Sequence, residues 1–217
     1  MSPKRSEVTL MKPVSRRTLS GLAMAAVAVL AFAPSAAAVA YNANFACQGS
    51  TPMGPQNFNF AQSAEVTAPA TVAPGAAFSI VIDPAPNTIP SSVNGYTVRR
   101  VENLALKVPI PANSTYVSAT LSGGSNVGTT NISVSGGVAT ITATGPIAGG
   151  ATFELPTVTA NLTAGASGTI QTKLYGTSYS DPGLTFTAVV ASFLGNINVP
   201  TKCYPNPNPV ITTTTIG

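Results

Sequence analysis

Side chains able to do chemistry are sparse in this chain. Two cysteines, Cys47 and Cys203, stand among six acidic and ten basic residues, and histidine and tryptophan are absent. Without an imidazole, a Ser-His-Asp or Cys-His nucleophile has no base, and the commonest neutral metal ligand is missing. A Ser-Lys site needs Ser-x-x-Lys, which occurs at none of Lys107, Lys173 and Lys202. The glycine clusters fit neither a dinucleotide-binding nor a phosphate-binding loop. Tyr179-Ser-Asp181-Pro-Gly183 offers one carboxylate before Pro-Gly, the chemistry of a β-turn rather than of a calcium loop. For glycoside hydrolysis, two of Glu65, Asp83, Glu102, Glu154 and Asp181 would have to converge to about 5–10 Å. Each reads singly as a solvated strand or turn residue. No catalytic residue, metal ligand or cofactor site is assigned.

Three side chains are candidates for surface recognition. Tyr175 and Tyr179 flank Gly176-Thr-Ser178, and exposed tyrosines offer apolar area with a polar tip, suited to sugars or a protein partner. Arg100, beside Arg99 and Glu102, is a candidate for an anion. Successive strand residues point to opposite faces, so only one arginine of the pair can meet a given ligand. Core packing of the tyrosines and pairing of Arg100 with Glu102 are the plainer alternatives.

Charge distribution sets the compartment. Lys4, Arg5, Lys12, Arg16 and Arg17 precede the apolar run from Leu22 to Ala33, and Ala-x-Ala sites end at Ala38 and Ala40. This order predicts a cleaved export signal over residues 1–40, by the general or the twin-arginine route, starting at Met1 or Met11. The run falls short of the ~20 residues that a span needs. From Tyr41 onward, Arg99, Arg100, Lys107, Lys173 and Lys202 balance the five acids named above. The formal net charge of +4 therefore resides in the leader, and no basic patch for nucleic acid remains. In an exported chain the cysteine pair reads as one disulfide. Asn44-Phe45-Ala46 before Cys47 is no lipidation motif and no LPxTG sorting signal occurs, so no membrane anchor is expected after cleavage.

The scaffold that must position these groups is β. Runs rich in Val, Ile, Thr, Phe and Tyr alternate with Gly, Pro, Asn and Ser punctuation. They predict strands over 57–67, 77–83, 96–108, 115–122, 131–135, 138–144, 152–162, 169–178, 184–194 and 210–216. Phe78, Ile80 and Ile82 share one face. Val101 is out of phase with Leu104, Leu106 and Val108, which places a bulge at Glu102-Asn103. Gly136-Gly137 marks a hairpin turn. No segment after the leader shows helical periodicity. The expectation is all-β: an antiparallel sandwich of about eight to ten strands over residues 41–204. A Pro/Thr-rich final edge strand or mobile tail follows over 205–217, and Thr212 to Thr215 of a tail could accept sugar.

The segments Pro109-Ile-Pro-Ala-Asn-Ser-Thr-Tyr-Val-Ser118, Gly137-Val-Ala-Thr-Ile141 and Ile147-Ala-Gly-Gly-Ala-Thr-Phe153 resemble immunoglobulin-like repeats of bacterial surface proteins. The resemblance covers about Val66 to Gly176, with Asn113 where the repeat's turn has glycine. The whole chain is similar to small secreted proteins of actinobacteria, some of which carry cyclase or dehydratase labels. The resemblance implies that the β-sandwich is immunoglobulin-like, a secreted or cell-envelope module.

Three functions stand as expectations. The first is a non-catalytic structural or adhesive module, secreted or at the cell envelope, offering Thr, Ser and Asn faces to wall glycan or surface proteins. The second is a binding module for an apolar small molecule or cell-wall glycan. An apolar ligand would sit between sheets or at an open barrel end, in a pocket of at least ~300 Å³ lined by Phe and Leu. The third is a cyclase-like or carbohydrate-active enzyme, which needs the convergent carboxylates.

Overall fold

The computed structural model describes residues 36–193 and 195–217. Of the leader expected over residues 1–40, only Ala36–Ala40 are among them, and they open the first strand with exposed side chains. In chain order the elements are β1 (Ala36–Thr51), β2 (Gly54–Pro69), β3 (Thr71–Val72), β4 (Ala77–Pro84), β5 (Asn87–Thr88) and β6 (Ser92–Val93). Next come β7 (Tyr96–Pro109), β8 (Ser114–Ser122), β9 (Thr130–Ser135), β10 (Val138–Ala143), β11 (Ile147–Ala148) and β12 (Thr152–Phe153). The last are β13 (Thr157–Ala164), β14 (Gly168–Thr172), β15 (Leu184–Ser192), β16 (Gly195–Pro205) and β17 (Thr212–Ile216). No helix occurs among the described residues.

Ten strands run side by side in one antiparallel path, β8-β13-β4-β2-β1-β16-β15-β7-β10-β9, with β6 and β11 added beside β7. The path curls until its edges, β8 and β9, approach each other, which gives a nearly closed barrel. Closure protects edge strands that would otherwise present unpaired backbone groups. All-β and antiparallel hold as expected. Two strands that pattern alone left out, β1 and β16, join what would otherwise be two facing layers into a single path.

Local chemistry explains the bends. Phe78 and Ile80 of β4 alternate inward between exposed neighbours. Strand β7 shows two register shifts against β15, one between Val98 and Arg100 and one between Glu102 and Ala105. The second holds Asn103 at φ 55°, so the expected bulge at Glu102-Asn103 is present. Together the shifts reset the pleat, and Val98, Val101 and Leu104, three apart in sequence, are all buried inward. Gly136 and Gly137, at φ 57° and 75°, make the two-residue turn between β9 and β10. Asn113, where the surface-protein repeat has glycine, adopts φ 59°, a conformation that asparagine tolerates better than most side chains.

Cys47 and Cys203 are direct partners across β1 and β16, fully buried and joined by a disulfide that spans 156 positions of sequence. The chain's last segment is a strand. β17 lies in the middle of a separate three-stranded sheet, antiparallel to β14 and parallel to β3, rather than at an edge. Alternation buries Thr212 and Thr214, whose hydroxyls donate to Thr172 Oγ1 at 2.9 Å and to the Pro69 carbonyl at 2.6 Å. That burial withdraws both from any glycosylation role.

Two apolar interiors result. One gathers Val66, Phe78, Ile80, Leu162, Ile170 and Ile216 beneath the small sheet. The other gathers Phe45, Val101, Leu104, Phe153, Val190 and Leu184 around the disulfide.

Candidate functional site

The interior beside the disulfide is not filled. A cavity of about 330 Å³ lies on the inner face of five neighbouring strands, β2, β1, β16, β15 and β7. Ile89, Val101, Leu104, Phe153 and Leu184, all buried, form its deep wall. Phe58, Phe60, Val93, Tyr96 and Phe186 are half-buried and mark the way out. Thr51, Gln56, Asn59, Ser92 and Asn94 rim the opening, and no charged side chain lines any part of it.

Small residues on long strands create the space. Ala188 brings a single methyl group to the wall, and Gly49 none. A Cβ on Gly49 would stand 2.8 Å from Val199 Cγ1, so the neighbouring strand holds that position to glycine. The two bulges in β7 bring Val98, Val101 and Leu104 together onto the cavity wall. The segment from Ala85 to Asn94 straps the flank. Gln62 Nε2 donates to the Ala85 carbonyl at 2.7 Å, Ile89 N to the Ala151 carbonyl at 3.0 Å, and Asn94 Nδ2 to the Asn57 carbonyl at 3.1 Å. The arrangement offers dispersion contact and desolvation in its depth, with uncharged hydroxyl and amide groups at its lip.

The surface candidates lie elsewhere and do not meet at the cavity. Lys107 Nζ sits 5.2 Å from the centre of the Tyr175 ring. A hydrogen bond to Asp181, with that carboxylate's negative charge, holds the Tyr175 hydroxyl above its ordinary pKa of 10.0. Tyr179 packs edge-on against Tyr204 with ring centres 5.1 Å apart. Arg100 Nε donates to Glu102 Oε1, an ion pair within one strand. Each candidate thus has a partner inside the chain. Among the acids, Glu65 and Asp83 are direct partners across β2 and β4, but both are exposed and neither lines the cavity. Asp83 Oδ1 accepts a hydrogen bond from Thr157 Oγ1 at 2.5 Å. Among the described residues no three acidic or cysteine side chains gather closely enough to hold a metal ion.

Sequence reasoning named none of the cavity's wall as a site. The one available signal was Phe58 and Phe60 alternating with Asn57 and Asn59 on β2, which marks an inward face without telling whether it is covered.

No protein-family model matches the sequence, and no curated protein does. Among solved structures, the chain is similar to a crystal structure from Corynebacterium diphtheriae, provisionally described as a membrane-anchored protein. The TM-score is 0.52 at 20% identity, over 82% of this chain and 37% of that one. What they share is the fold. This chain spans little more than a third of the Corynebacterium protein's length.

Proposed function

We propose that this protein binds a neutral, largely apolar small molecule in the cavity walled by β2, β1, β16, β15 and β7. The carrying observation is about 330 Å³ of open space faced by Phe58, Phe60, Phe153, Phe186, Leu104 and Leu184. That volume falls within the ~300–1,000 Å³ of small-molecule sites. Apolar surface left in water costs roughly 25 cal/mol per Å², so an apolar occupant is favoured. An ionised ligand would lose hydration with no opposite charge to receive it. The rim amides and hydroxyls suit one uncharged polar end.

Titration with a neutral naphthylamine fluorophore tests the reading. The native protein is expected to show saturable binding, and Ala188→Phe, which projects a ring into the space, is expected to abolish it while leaving the far-ultraviolet circular dichroism unchanged. Absence of saturable binding to the native protein would sink the proposal. Equal binding by the variant would place the ligand elsewhere.

A second reading, a secreted or envelope-held structural module meeting wall glycan or surface proteins, draws on two observations. Buried disulfides persist in oxidising compartments, and the description of the Corynebacterium protein includes membrane anchoring. The immunoglobulin-like reading of Val66 to Gly176 belongs with it. Within that segment β4, β13 and β8 pair with one another, as do β7, β10 and β9. Ile80, Ile82 and Leu162 of the first set face Ile132 and Ile141 of the second across a gap of about 40 Å³. Recovery of the protein in the cytosol on cell fractionation would defeat this reading.

A further inference from the structure

We infer that the end of the barrel at the cavity mouth docks on a neutral lipid surface, from which the apolar ligand enters. The inference rests on the binding reading above and names the source of the ligand. Three turns meet at that end: Pro52-Met53 between β1 and β2, Phe193 after β15, and Asn94-Gly95 between β6 and β7. Register puts them there, because Gly49 pairs with Thr201 and Val190 with Val98.

Two properties set this end apart. Among the described residues, Phe193 and Met53 are the most exposed large apolar side chains, at 87% and 75%. Neither lines the cavity itself, but each is carried by a segment that does. Tyr96, on its wall, donates its hydroxyl to Met53 Sδ at 3.7 Å, and Val190 and Val199, also on its wall, belong to the hairpin that carries Phe193. The second property is charge. No acidic or basic residue occurs from Gln48 to Ala64, from Pro84 to Val98 or from Pro182 to Thr201.

Physical chemistry then selects the occupant. Uncharged tips enter a lipid interface without stripping an ion of water, and a phenylalanine and a methionine there bury apolar surface. A protein partner would need a broad complementary patch of about 800 Å², whereas two projecting side chains suit a surface they can penetrate. A molecule that prefers this cavity is scarce in water and concentrated in lipid, so a mouth facing lipid shortens its path.

Flotation with phosphatidylcholine vesicles is the test. The native protein is expected to float with the vesicles equally at low and high salt. The double variant Met53→Ser/Phe193→Ser is expected to lower the partition constant about tenfold or more, while still binding the naphthylamine probe. Ala188→Phe is expected to float and to lose the probe, so the docking and the binding readings fail separately. Absence of flotation, flotation abolished by salt, or equal flotation of the double variant would overturn docking. Self-association of the native protein that the double variant abolishes would reassign the tips to a second copy. Flotation without probe uptake would overturn delivery into the cavity.

Discussion

Strand β2 passes through both apolar interiors and meets opposite conditions in them. Near its end, Val66 and Ala68 are sealed with Phe78, Leu162, Ile170 and Ile216. Near its start, Phe58 and Phe60 face the 330 Å³ cavity and remain half-buried. The sheet β14-β17-β3 closes the first region with the inward side chains of Ile170, Thr172, Thr212, Thr214 and Ile216. The second has only the Ala85–Asn94 strap and a wall that includes Gly49 and Ala188. Similar inward residues therefore make a packed core where a plug exists, and a vessel where it does not.

The largest expected effect concerns what holds the hollow region together. Replacing Cys47 and Cys203 with alanine opens a loop of 156 positions and is expected to cost about 5 kcal/mol on the chain-entropy scale. A chemical-denaturation midpoint measures it. A loss below about 1 kcal/mol would show that packing alone secures the wall.

Two paired substitutions then compare the regions directly. Leu162→Ala in the sealed interior is expected to fall near the upper end of the ~2–5 kcal/mol range for such truncations. Leu104→Ala on the cavity wall is expected near the lower end, because its side chain borders about 330 Å³ of open space against about 40 Å³ beside Leu162. Equal losses would erase the distinction. In the reverse direction, Ala164→Phe should overpack the sealed core and cost about 1–3 kcal/mol. Ala188→Phe should cost little or add stability, as thermal unfolding would reveal.

The smallest effect lies outside both regions. The Tyr175 pKa is raised in the folded state, so its contribution is present below pH 10.0 and is lost as pH rises through the higher folded value. Asp181→Asn should bring that titration down toward the ordinary value. Ultraviolet titration against Tyr175→Phe identifies the component, and an unchanged curve would contradict the carboxylate's role.

Local features were readable wherever the signal is itself local. The inward face of Phe78 and Ile80, the bulge at Asn103, the Gly136-Gly137 turn and the pairing of Cys47 with Cys203 follow from period, phase, backbone freedom and cysteine count. Strand β1 escaped because its start coincides with the small residues of the expected leader, although Ala43, Phe45 and Cys47 alternate inward. Strand β16 escaped because Pro200 and three asparagine or glycine residues interrupt its pattern. The path that curls the sheet depends on both. A cavity is harder still to read, since it consists of volume that side chains leave empty, and Phe58 has the same period in a hole as in a core. Tyr175, Tyr179 and Arg100 stand out for their chemistry. The i to i+2 spacing of Arg100 and Glu102 already offered their pairing, whereas nothing in the spacing of the tyrosines announces Lys107 or Tyr204 as partners.

Strand β16 lies between β1 and β15, so the first long strand gains its second neighbour only from the last. A growing polypeptide emerging amino end first could pair β2 with β1 and β4 early, but would leave the second edge of β1 unpaired until β16 had been synthesised. Contacts so distant in sequence make folding slow. The sulfur bridge waits on the same event, because its two cysteines face each other across that last-formed pair of strands.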